Sequence, residues 1–126
     1  MKKLVYLISP SKINKEFYSQ LDEVLIFKNV KFFQLRLKKV KENSLIKIAK
    51  KIKKITDKHK VKLIINDNYK LACKINADGC HMGQFDGSFK IARKKLKNKI
   101  LGITCHNSEA LAKNAIKYKV NYIAFG

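Results

Sequence analysis

Polar residues interrupt the apolar stretches of this chain at a few ordered places. Gln34-Leu35-Arg36-Leu37-Lys38 alternates polar and apolar side chains. In an extended strand that period puts Gln34, Arg36 and Lys38 on one face and Phe33, Leu35 and Leu37 on the other. Three polar groups, two of them cationic, are costly on an interior face unless they bind something anionic. An edge strand with a solvated face is the alternative. Asn66-Asp67-Asn68 closes a second apolar run, and His81-Met82-Gly83-Gln84-Phe85-Asp86-Gly87 closes a third. Asp67 and Asp86 each precede a helical pattern, so each reads either as a helix cap or as a metal ligand. Two carboxylates at neighbouring strand ends, beside an arginine and a lysine, match a Mg²⁺·diphosphate site, because Mg²⁺ takes one or two carboxylates plus phosphate oxygens. Thr104, in Gly102-Ile103-Thr104-Cys105-His106, suits a bond to phosphate or to the loop backbone. His106 reads as a satisfied loop histidine, with acid–base work as the alternative. Cys105 reads as packed rather than reactive.

The elements that must carry these residues are short apolar runs: Leu4–Ile8, Lys31–Leu37, Val61–Ile65, Ala77–Met82, Ile100–Thr104 and Val120–Phe125. Lysine-rich segments with helical spacing separate them. Leu45, Ile46, Ile48, Ala49, Ile52 and Ile55 form one stripe, and Ala110, Leu111, Ala115 and Ile116 another, opened by Asn107 or Ser108 as N-cap. Strands that are apolar almost throughout, alternating with helices, indicate a parallel sheet covered by helices. Sites in such folds lie at the C-terminal strand ends, where the polar residues above fall. No linker or repeat breaks the pattern, so residues 1–126 read as one α/β domain. Tyr122–Gly126 reads as a sixth buried strand with nothing after it to cover its edge, an aggregation hazard. The chain therefore reads as truncated, and a whole small flavodoxin-like domain is the competing account.

Composition narrows the partners. Lys+Arg number 29 against 9 Asp+Glu, a formal net charge of +20, and all but Arg36 and Arg93 are lysine. Nucleic-acid readers rely on arginine for bidentate contacts, so solvated helix faces and an AT-rich coding bias explain the lysines better than a nucleic-acid partner. Cys73, Cys80 and Cys105 lack metal-like spacing with His59, His81 or His106; reduced cytoplasmic thiols are the simplest account. Met1-Lys2-Lys3 before Leu4–Ile8 imitates a signal peptide, but the apolar run is too short for one or for a membrane span. A buried first strand is expected instead.

The same residues carry a family resemblance. Gln34-Leu35-Arg36-Leu37-Lys38 resembles the Q-x-R-x-K strand of thiamine-phosphate synthases, and Ile64-Ile65-Asn66-Asp67 their I-N-D strand end. Ala77–Asp86 is similar to their A-D-G-x-H-x-G-Q-x-D segment; Leu101–Thr104 and Asn121–Gly126 resemble their G-x-S and D-Y-x-x-x-G strands. The resemblance implies the (β/α)8 TIM barrel family, here with about the first six strands. It implies coupling of hydroxymethylpyrimidine diphosphate to thiazole phosphate with release of pyrophosphate. It further implies Asp67 and Asp86 as Mg²⁺ ligands, and Gln34, Arg36, Lys38 and Asn66 as holders of the pyrimidine diphosphate. Thr104 stands where the family usually has serine. Leu37 and Phe85 occupy positions that are often acidic in the family, and the family's later T-x-T-K and glycine-rich loops lie beyond Gly126. The rival readings are a thiazole tautomerase of the same fold and a non-catalytic basic module. Retention of Gln34, Asp67 and Asp86 favours the synthase over the tautomerase. The basic module predicts steeply salt-dependent polyanion binding.

Overall fold

The computed structural model describes residues 3–126, so Met1 and Lys2 of the signal-like start lie outside it. Its elements alternate throughout: β1 (Val5–Ile8), α1 (Phe17–Val24), β2 (Val30–Leu35), α2 (Glu42–Lys58), β3 (Lys62–Asn66), α3 (Tyr69–Lys74), β4 (Gly79–Met82), α4 (Phe89–Leu96), β5 (Ile100–His106), α5 (Glu109–Ile116) and β6 (Tyr122–Phe125). All six expected runs are strands, with ends shifted by up to two residues. The contacts fall into two compact units, Met1–Ile64 and Ile65–Gly126, with β3 passing from one to the other.

In the first unit β1 and β2 pair in parallel, with Tyr6 opposite Phe32, Leu7 opposite Phe33 and Ile8 opposite Gln34. The strand expected to reach Leu37 stops at Leu35. Beyond it, the Ser9 hydroxyl accepts from the Arg36 N–H (2.8 Å) and donates to the Arg36 carbonyl (3.3 Å), replacing ladder bonds with side-chain ones. Helix α2 follows its apolar period, and Ala49 and Ile52 are completely buried. Thr56 joins them because its hydroxyl is satisfied by the Lys53 carbonyl at 3.1 Å. Helix α1 buries Leu21, and Phe17 meets Phe33 with ring centroids 6.1 Å apart. Asp22 ties the two helices by accepting from Lys58 (3.1 Å) and meeting His59 Nε2 at 2.6 Å.

In the second unit β4, β5 and β6 pair in parallel in chain order. Every residue of β4 is buried. Helix α4 buries Phe89, Ala92 and Leu96, spaced three and four apart. Helix α5 is capped by Ser108, whose Oγ accepts from the Leu111 N–H at 3.1 Å. Its buried residues are Ala112 and Ala115, whereas Ala110 and Ile116, expected in the stripe, are exposed. Two alanines three apart allow a close approach that the larger Ile116 does not share. Strands β1 and β6, expected to be buried, are only half-buried, and Ile8 and Phe125 stand exposed. A run of apolar residues predicts a strand but not how many of its faces are covered.

Candidate active site

The first unit holds three of the expected site residues. Gln34 is buried at 3% exposure, and its Nε2 donates to the Tyr6 hydroxyl at 2.9 Å. That bond fixes the amide and leaves its carbonyl oxygen available as an acceptor. Arg36 and Lys38 are exposed beyond the end of β2. The expectation of three residues sharing one interior strand face therefore holds for Gln34 alone. The two cations sit where their charge remains hydrated, which spares the desolvation penalty of an interior position.

Asn66, Asp67, Asp86 and Thr104 fall in the second unit. Asn66 ends β3 half-buried, and Asp67 follows with φ 66°, a left-handed conformation uncommon outside glycine. Asp67 does not cap α3. Asn68 does, its side-chain oxygen accepting from the Leu71 N–H at 2.9 Å. The Asp67 N–H donates to the His81 carbonyl at 2.7 Å, which holds the end of β3 against β4 and turns the chain at that point. Asp86 likewise does not cap α4, because Ser88 Oγ takes the Ile91 N–H at 3.2 Å. Instead Asp86 Oδ2 accepts from the Gly83 N–H at 2.6 Å. A side chain on Gly83 would stand 2.8 Å from that same oxygen, so only glycine leaves the carboxylate its place. Both carboxylates are exposed. Both also act on one thiol: Cys80 is raised well above its ordinary value, first by burial and then by the negative charges of Asp67 and Asp86. Exposed carboxylates that do not cap their helices are hard oxygen donors, the kind that could serve a hard cation completed by water and phosphate oxygens. Among the described residues no group of three or more His, Cys, Asp or Glu side chains is arranged to hold a metal by itself.

Thr104 is half-buried on β5 and belongs to a network that sequence reasoning missed. Its Oγ1 lies 2.7 Å from His81 Nε2, and the other ring nitrogen of His81 lies 2.8 Å from the Tyr122 hydroxyl. Gln84 Nε2 donates to the Thr104 carbonyl at 2.8 Å. Tyr122 stacks on His81 and occupies the space that a side chain on Gly102 would need. A histidine inside an otherwise apolar run is the signal that could have exposed this network, because a buried imidazole must find partners. Ser9 and Tyr6, which organise the first unit's strand ends, offered no comparable signal. His106 is exposed with φ 51°, and its carbonyl accepts from Gly126 at 3.1 Å.

Strands pairing in parallel in chain order, alternating with helices and with polar residues at several strand ends, define the class, a parallel α/β fold. Comparison with known proteins makes this specific. The family model described as thiamine monophosphate synthase matches residues 5–126. The thiamine-phosphate synthase of Pelagibacter ubique (strain HTCC1062) is 59% identical over 126 residues, covering 99% of this chain and 61% of that protein. That of Erythrobacter litoralis is 37% identical over 125 residues, covering 97% and 59%. A solved structure, thiamine phosphate pyrophosphorylase from Pyrococcus furiosus, superposes with a TM-score of 0.85 at 24% identity, over 98% of this chain and 59% of that one. The chain belongs to the thiamine monophosphate synthase family. Its fold is the expected one, α/β of the (β/α)8 barrel family represented by six strands, and the flavodoxin-like alternative falls away. It spans about 60% of the length of the curated relatives it matches.

Proposed function

We propose that the protein is a thiamine-phosphate synthase, a transferase of a pyrimidinylmethyl group. In this reading it couples hydroxymethylpyrimidine diphosphate to thiazole phosphate and releases pyrophosphate in thiamine biosynthesis. The observation that carries the site assignment is the division of labour at two helix starts. Asn68 and Ser88 cap, leaving the Asp67 and Asp86 carboxylates exposed and unneeded for capping. These two residues would hold Mg²⁺, which supplies charge neutralisation for the departing diphosphate. By the family resemblance Gln34, Arg36, Lys38 and Asn66 hold the pyrimidine diphosphate, with Arg36 and Lys38 as exposed cations, and Thr104 contributes a hydroxyl. The bond from the pyrimidine methylene to the diphosphate oxygen breaks first, and the thiazole nitrogen then attacks the resulting cation. The protein's part is to orient the reactants and stabilise the leaving charge. Three free cysteines are consistent with a cytoplasmic location, and no helix among the described residues is long and apolar enough to cross a membrane.

The test is calorimetric titration of the pyrimidine diphosphate into the protein with and without Mg²⁺. Binding should require Mg²⁺ and should fall at least tenfold in Asp67→Asn and in Asp86→Asn. Mg²⁺-independent binding that any polyanion reproduces, and that collapses with salt, would instead support the basic module. Absence of diphosphate binding would favour the tautomerase.

A further inference from the structure

The chain Thr104–His81–Tyr122 in the second unit has a property that its three members do not show singly. Both ring nitrogens of His81 are engaged, Nε2 with Thr104 Oγ1 at 2.7 Å and Nδ1 with the Tyr122 hydroxyl at 2.8 Å. The residue is only 9% exposed. Tyr122 stacks on it with centroids 5.6 Å apart and planes at 25°, in a place kept open by the missing side chain of Gly102. A neutral imidazole donates from one nitrogen and accepts at the other, so the chain has two possible polarities. A phenol, with a pKa of about 10, donates more strongly than an aliphatic hydroxyl and accepts more weakly. The favoured polarity therefore runs from Tyr122 towards Thr104.

We propose that His81 is a positioning residue that makes Thr104 a dedicated hydrogen-bond donor. The Tyr122 hydroxyl donates to Nδ1, Nε2–H donates to Thr104 Oγ1, and the Thr104 proton is left for an acceptor at the C-terminal end of β5. The reverse polarity would use that proton on His81 and offer the ligand only a lone pair. The proposal rests on the reading above in which Thr104 meets substrate. The matching ligand atom is an acceptor, either a phosphate oxygen or a pyrimidine ring nitrogen.

The polarity is read directly from the ¹⁵N imidazole shifts of His81 in the 126-residue protein, assigned by the signal missing from His81→Asn. A pyrrole-like Nε2 and a pyridine-like Nδ1 are expected; the opposite tautomer, or an averaged pair, overturns the proposal. Tyr122→Phe keeps the ring stacked but removes the donor. It should mix the tautomers and weaken binding of the pyrimidine diphosphate by about tenfold, the scale of one hydrogen bond. In a Thr104→Val background the same substitution should have no further effect, because its influence passes through Thr104. Additive losses would mean that Tyr122 acts on its own and would overturn the idea. Inorganic pyrophosphate as a second probe separates the acceptors: parallel weakening identifies a phosphate oxygen, and unchanged pyrophosphate binding identifies the ring nitrogen. If the unaltered protein binds neither probe, the synthase reading fails while the NMR result still decides the polarity.

Discussion

Asp67 and Asn68 are adjacent, chemically similar, and do opposite things. Asn68 satisfies the first turn of α3, whereas Asp67 adopts φ 66° and presents an exposed carboxylate. Asp and Asn enter this left-handed region more readily than other non-glycine residues, so its cost at Asp67 is modest. Substitutions should separate the two. Asn68→Ala loses a cap and should cost about 1 kcal/mol in denaturant unfolding. Asp67→Gly relieves a left-handed conformation and should leave stability unchanged or up to about 1 kcal/mol higher, while losing metal-dependent binding. A clear destabilisation by Asp67→Gly would show that the carboxylate is structural after all. Capping was the simpler sequence reading of both aspartates, and it failed because candidate caps stood one and two residues further on. Spacing alone does not say which of several neighbouring oxygens reaches the free N–H groups.

Arg93 shows what an element can require that its period does not reveal. On α4 its guanidinium donates to the carbonyls of Lys97, Lys99 and Lys119 and to the Asn121 side chain, joining the turns before β5 and β6. Lysine cannot reproduce this planar fork. Arg93→Lys should therefore lower stability by roughly 2 kcal/mol, as expected for lost charge-assisted bonds. Lys97, the residue closing α4, has φ 55° and ψ −116°, a region that suits glycine. Lys97→Gly should raise stability by about 1 kcal/mol in the same assay, since the strain of such a residue is on the order of 1–3 kcal/mol. No gain would mean that bonding around the turn outweighs the backbone cost. The strands themselves were legible from their apolar runs, and the α2 stripe from its spacing. The burial of Ala112 rather than Ile116 on α5 was not, because an alanine-rich helix has little contrast between its faces.

A formal charge of +20 acts on the molecule as a whole. Self-repulsion among lysines opposes compaction, and salt screens it. The melting temperature should rise as the Debye length shrinks from about 30 Å at 0.01 M ionic strength to about 8 Å at 0.15 M. A flat or falling response would show that the lysines are locally compensated. Acid should reveal the α1–α2 tie. Asp22 is held below its ordinary value mainly by its hydrogen bond to His59 and then by that to Lys58. A depressed carboxylate contributes stability above its unfolded value, near 3.8 here, which is lost as pH falls through the lower folded value. Asp22→Asn should therefore flatten the stability profile below pH ~4, the ordinary carboxylate range. An unchanged acid limb would remove the tie from the account.

Residue types and their order were sufficient to specify six strands alternating with helices, and the family, because a parallel strand covered by helices needs a continuous apolar run and the polar residues that interrupt those runs follow one another in the family's order. Tertiary structure decided which of those groups are available for chemistry. Whether Asp67 caps or binds depends on which neighbouring oxygen meets the Leu71 N–H. Whether Gln34 and Thr104 act through an oxygen or a proton depends on Tyr6, His81 and Tyr122, partners 18 to 28 residues away. Hydrogen-bond direction is a property of a pair brought together by folding, and neither partner's sequence neighbourhood contains it.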